Sequence, residues 1–66
     1  MNRKRVGKRL RILRGKRTAV EVAIACGVTK QAICNYEAGR RMPSDDIKKK
    51  LAHYFGMSVQ AIFFDD

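Results

Sequence analysis

The 66-residue chain has no tryptophan, one proline, one histidine and two cysteines, and each scarcity removes a class of protein. Cys26 and Cys34 are too few for a disulfide scaffold, and with His53 they cannot complete a four-ligand zinc site. Two readings stay open for them: reduced thiols packed in or near the core, or an intersubunit or redox-sensing disulfide. No apolar run approaches the ~18–20 residues that cross a bilayer, and the basic start is not followed by the apolar stretch of a signal peptide. A cytoplasmic protein is expected. His53 has no serine, cysteine or carboxylate constellation at helical spacing, and Gly7 and Gly15 form no phosphate loop. No enzyme activity, cofactor or metal site is therefore expected.

Acidic residues are the most unevenly missing. Residues 1–17 hold nine bases (Arg3, Lys4, Arg5, Lys8, Arg9, Arg11, Arg14, Lys16, Arg17) and no acid. In residues 18–66 six bases balance Glu21, Glu37, Asp45, Asp46, Asp65 and Asp66, so the whole net charge of +9 lies in one quarter of the chain. That asymmetry points to a polyanionic partner; the bland alternative is a solvated basic helix face that keeps the protein soluble. With 45% hydrophobic and 32% charged residues, residues 1–66 read as one small globular domain with a thin stability margin.

No strand pattern, repeat or low-complexity linker interrupts a series of helical stripes. Val6, Leu10 and Leu13, with Ile12 beside them, predict an amphipathic helix over about 3–14, ending at Gly15. Thr18 with Glu21 three residues later is a capping box, in which hydroxyl and carboxylate each accept a backbone N–H, so a second helix starts near Ala19. Val22, Ala23 and Cys26 form its inward face and Gly27 stops it after about eight residues. Thr29 caps a third helix with Ala32, Ile33 and Tyr36 inward, ended by Gly39. Arg40-Arg41-Met42-Pro43 reads as a loop, and Ser44-Asp45-Asp46 opens a fourth helix with the stripe Ile47, Leu51, Tyr54 and Phe55. After Gly56, Ser58 caps a short fifth helix that Val59, Ile62 and Phe63 can pack back on the core before the acidic Asp65-Asp66 end. The fold class is all-α, a compact five-helix bundle.

The informative spacing is Ala23, Gly27, Ile33. Two short helices that cross steeply need a small side chain where they touch, a glycine where the turn takes positive φ, and an apolar residue pinning the second helix to the first. This places a helix-turn-helix at about 18–38. With the Tyr36–Ser44 segment and the Phe55-Gly56-Met57-Ser58 connection, the sequence from about Val6 to Phe64 resembles the lambda-repressor-like (Cro/C1, xenobiotic-response-element type) DNA-binding domain family. The resemblance implies a cytoplasmic, nucleoid-associated regulator, most simply a repressor of bacterial, phage or mobile-element origin. It implies a third helix lying in the major groove of double-stranded DNA, usually as two copies on a two-fold symmetric operator.

Carried over by position, Lys30, Gln31 and Asn35 match the base-reading residues, and Cys34 shares their arc, either as a small residue near the groove or as a thymine-methyl contact. Thr29 matches a helix cap that also touches phosphate. Arg40 and Arg41 match the phosphate-tracking loop. Ala19 stands where many members have Gln or Arg, which shifts phosphate binding toward Lys16 and Arg17. Arg3 and Arg5, with Lys4, form either a DNA-wrapping arm or a solvated terminus. Arg14 and Glu37 match a structural ion pair, which leaves eight of the nine early bases for DNA.

Adjacent Phe63 and Phe64 point apart on a short helix, so Met57, Val59, Phe63 and Phe64 are candidate homodimer contacts; the alternative is a monomer with Phe64 folded over its own chain end. Two other classes of function remain. An antitoxin-type protein would bind a protein partner and autoregulate its promoter. A membrane-surface helix over 3–17 conflicts with the need for Leu10 and Leu13 in the core.

Overall fold

A computed structural model describes residues 2–64, so the acidic pair Asp65 and Asp66 lies outside the described residues. Its helices are α1 (Arg3–Arg14), α2 (Ala19–Cys26), α3 (Lys30–Glu37), α4 (Asp45–Phe55) and α5 (Gln60–Phe64), the last wound as a single π-type turn. The described residues contain no strand.

Side-chain caps fix where the helices begin, because the first backbone N–H groups of a helix have no partner within it. Asn2 Oδ1 accepts from the amides of Lys4 and Arg5 at 2.9 and 3.1 Å. Thr29 Oγ1 accepts from Ala32 N at 3.1 Å, Ser44 Oγ from Ile47 N at 3.4 Å and Ser58 Oγ from Ala61 N at 3.0 Å. Thr18 Oγ1 accepts from Glu21 N at 3.1 Å, but the reciprocal bond, from the Thr18 amide to the Glu21 carboxylate, is absent among the described residues. Only half of the expected capping box forms.

Inward faces from every helix meet in one core: Val6 and Leu10, then Val22, Ala23 and Cys26, then Ile33 and Tyr36, Leu51 and Ala52, and finally Ile62 and Phe63. Phe63 has no accessible surface at all. It fills the centre from the chain's end, and burying a side chain of this size contributes ~1.5–3 kcal/mol. That placement corrects one expectation, since a fully enclosed Phe63 cannot contribute to a surface between subunits. Adjacent Phe64 is 46% exposed, so the two rings do diverge. Ile12, expected beside the inward stripe of α1, faces outward and is 79% exposed.

The α1–α3 crossing is unusually close, and Gly7 allows it. A Cβ placed on Gly7 would lie 2.5 Å from the Glu37 carbonyl oxygen and 2.6 Å from that of Tyr36, well inside contact distance. The absence of a side chain at one helical position thus sets how deeply α3 is seated against α1. At the far end of α3's entry, Gly27 takes φ 69 and ψ 31, the left-handed conformation that turns the chain from α2 into α3 within three residues.

Candidate nucleic-acid interface

Burying Ile33 and Tyr36 fixes the rotation of α3, which turns the opposite arc toward solvent. Lys30 and Gln31 are exposed on that arc, with Cys34 and Asn35 half-buried beside them. Asn35 Oδ1 accepts from Gln31 Nε2 at 3.2 Å and from Arg40 Nε at 3.2 Å. Two amides and a guanidinium are thereby joined along the helix face and into the following loop. Side chains held in this way lose less freedom when they meet a partner. Sequence reading named all three residues but not the hydrogen bonds among them; the i, i+4 spacing of Gln31 and Asn35 was the available signal.

The opposite end of α3 is held by charge. Arg14 Nε donates to Glu37 Oε2 at 2.7 Å and Nη2 donates to Oε1 at 3.0 Å, a two-pronged pair joining α1 to α3. Nη1 of the same guanidinium donates to the Arg17 carbonyl at 2.8 Å, so Arg14 also anchors the loop before α2. The Glu37 hydrogen bond holds the Arg14 pKa above its ordinary value, against a smaller opposing effect of desolvation. Arg14 is therefore a cationic brace throughout the working pH range.

The remaining cations surround α3 unevenly. Lys16 is exposed in the loop between α1 and α2, Arg40 and Arg41 in the loop after α3, and Arg5 on α1. Arg3 Nη1 donates to the Arg40 carbonyl at 3.4 Å, which brings the start of α1 against the loop after α3. The Arg17 guanidinium stands 5.3 Å from the Tyr54 ring centre and 5.7 Å from that of Phe55, with Nη1 donating to the Leu13 carbonyl at 3.3 Å. It is folded onto α4. Arg9 corrects the count of eight available bases. Its Nη1 donates to the Ala61 carbonyl at 3.3 Å and to that of Ile62, joining α1 to α5.

Lys48, one of the six bases that balance the acids of residues 18–66, has a structural place that its sequence position does not announce. It is 7% exposed, with Nζ 3.6 Å from Asp45 Oδ1 and lying 5.8 and 5.4 Å from the Phe63 and Phe64 ring centres. The long aliphatic stem covers the core while the ammonium sits over aromatic faces. Cys26 is enclosed in the core, and burial pushes its thiol above the ordinary 9.0, partly opposed by Lys50. Both cysteines are free thiols. The described residues contain no cluster of His, Cys, Asp and Glu that could hold a metal ion.

Two short helices joined at a glycine turn, the second with its polar face outward and the pair preceded and followed by cationic loops, define a helix-turn-helix domain. The family description "Helix-turn-helix domain" matches residues 5–62, and the chain belongs to that family. Among solved structures it is similar to the clp gene regulator ClgR from Corynebacterium glutamicum, with TM-score 0.83 and 28% identity over 94% of this chain and 68% of that one. It is also similar to the restriction-modification controller protein C.AhdI from Aeromonas hydrophila, with TM-score 0.82 and 26% identity over 91% of this chain and 94% of that one. No curated protein sequence matches the chain.

Proposed function

We propose that the chain is a sequence-specific transcriptional regulator of double-stranded DNA, acting as a repressor and reading the major groove with α3. The observation that carries this is the linked polar arc of α3, in which Gln31, Asn35 and Arg40 share the Asn35 oxygen beside the exposed Lys30. Gln and Asn amides pair in two-pronged fashion with adenine and a lysine ammonium donates to guanine, each good pair discriminating by ~1–3 kcal/mol. Thr29, Lys16, Arg17, Arg40, Arg41, Arg3 and Arg5 take the phosphate-binding role, which sets register and carries no sequence information. About four to six such contacts per subunit make log K fall with log salt at a slope of ~−0.9 per contact.

The regulator acts as a homodimer on a two-fold symmetric operator, with Phe64, Met57 and the half-buried Val59 as the pairing surface; Phe64 and Met57 are 46% and 37% exposed. Two α3 helices would then address half-sites about one DNA turn apart, ~34 Å. Its place of action is the cytoplasmic nucleoid. Among the described residues no helix is long and apolar enough to cross a membrane.

The test is selection from a randomised duplex pool at about 150 mM ionic strength, comparing wild type with a Lys30→Ala, Gln31→Ala, Asn35→Ala variant. Enrichment of a symmetric site by wild type alone supports the reading, and equal behaviour of the two proteins rejects it. A second reading, an antitoxin-type protein that also binds a protein partner, is favoured by Ile12 and Ile24, which are 79% and 76% exposed away from α3. Co-purification of a stoichiometric partner that releases on Ile12→Ser and Ile24→Ser substitution would establish it.

A further inference from the structure

On the side of the bundle formed by α2 and α4, Ala25, Lys49, Lys50, His53 and Tyr54 line an open pocket of about 260 Å³. None of these residues belongs to the polar arc of α3 or to the cations proposed for phosphate. The pocket surface is mainly apolar, and three of its five lining residues, Lys49, Lys50 and His53, carry side-chain nitrogens.

Two features distinguish it from an ordinary stretch of lysines. The first is charge without a partner. The Lys49 and Lys50 ammonium groups make no hydrogen bond or ion pair among the described residues, and the His53 side chain makes none either. Asp45, the carboxylate one turn before Lys49, is taken by Lys48 at 3.6 Å. The second is a fixed wall. Tyr54 packs edge to face on Phe55 with ring centres 5.1 Å apart and planes at 72°, and Arg17 stands over its ring. An aromatic wall held in place by two neighbours needs no rearrangement to receive a flat ligand.

We propose that this pocket binds a small organic anion with a flat apolar body, of the aromatic carboxylate class. The apolar lining accepts the ring and the Lys49 and Lys50 ammonium groups pair with the carboxylate, which is the division of labour found in small-ligand sites. The volume sets the size: it lies just below the ~300–1,000 Å³ of drug-sized sites and suits a single ring with one charged group. The lining residues lie apart from those proposed for DNA, although Arg17, proposed for phosphate, stands over the Tyr54 ring, so the site is tested without DNA.

The experiment is an amide-resolved NMR titration of the whole protein with benzoate, benzyl alcohol and inorganic phosphate in parallel. Benzoate is expected to shift Ala25, Lys50, His53 and Tyr54 saturably. Benzyl alcohol lacks the charge and phosphate lacks the ring, and neither is expected to saturate there. Lys49→Gln with Lys50→Gln should weaken benzoate roughly tenfold or more through loss of charge-assisted hydrogen bonds. Ala25→Leu, at an exposed position, should fill the pocket and abolish the shifts while the rest of the spectrum stays in place. Phosphate binding as well as benzoate, or benzoate shifts spread over α1 and the α3 loops as strongly as over the pocket, would overturn the proposal. So would unchanged benzoate binding in Ala25→Leu.

Discussion

Gly7→Ala is the sharpest perturbation of the fold. In an ordinary exposed helix this change stabilises by up to ~1 kcal/mol, because alanine is the better helix former. Here the new Cβ would sit 2.5 Å from the Glu37 oxygen and 2.6 Å from the Tyr36 oxygen. Both obstacles are backbone atoms, so no rotamer change relieves them. The α1 helix must instead back away by about 1 Å, which loosens Val6 and Leu10 in the core and stretches the Arg14–Glu37 pair. Overpacking of this kind costs ~1–3 kcal/mol even in more forgiving surroundings, and more when the backbone must shift. A domain of this size has roughly 3–10 kcal/mol in total, and each kcal/mol moves Tm by about 4–8 °C. A fall in Tm of about 10–25 °C is therefore expected by far-ultraviolet circular dichroism. The neighbouring exposed Lys8→Ala should stay within about 0.5 kcal/mol of wild type. If Gly7→Ala leaves Tm unchanged or raises it, the close α1–α3 crossing described above is wrong.

Three further outcomes are expected. A double-mutant cycle on Arg14→Ala and Glu37→Ala in urea should give a coupling of about 1 kcal/mol or more, whereas additive effects would deny the pair any energetic role. Burial raises the Cys26 thiol above 9.0, so the unfolded state loses this proton first. Stability from this source is thus complete below about pH 9 and declines as pH rises through the folded value; comparison with Cys26→Ala isolates that decline, and parallel pH profiles would refute it. Phe64→Ser with Met57→Ser should convert the proposed dimer into a folded monomer in sedimentation equilibrium, and an unchanged mass would remove this surface from the proposal.

Helix positions were largely legible because they are written locally. Thr18, Thr29 and Ser44 announce starts, and Gly15, Gly27 and Gly56 announce stops, within a few residues of the elements they bound. The residues opposite Ile33 and Tyr36 could likewise be placed on an outward arc by period alone. What escaped depends on contacts between segments distant in the chain. Gly7 looks like a dispensable small residue until α3 lies across it. Arg9 and Lys48 look like solvent-facing charges until α5 folds back and supplies carbonyls to one and aromatic rings to the other. The divergence of Phe63 and Phe64, and the place of Phe63 on the inward stripe of α5, are both legible by period; that its enclosure is complete, leaving only Phe64 for a surface contact, is seen in the assembled core.

The central claim, that α3 reads sequence while the flanking cations hold phosphate, is tested most directly by a specificity ratio. Affinity for the selected duplex would be measured against a scrambled duplex, across salt concentrations, for wild type and the Lys30→Ala, Gln31→Ala, Asn35→Ala variant. The account predicts a wild-type ratio of ~10³ or more, collapsing toward unity in the variant, with most of the nonspecific affinity and its salt slope retained. A variant that keeps the wild-type ratio, or a wild type with no preference to lose, would contradict it.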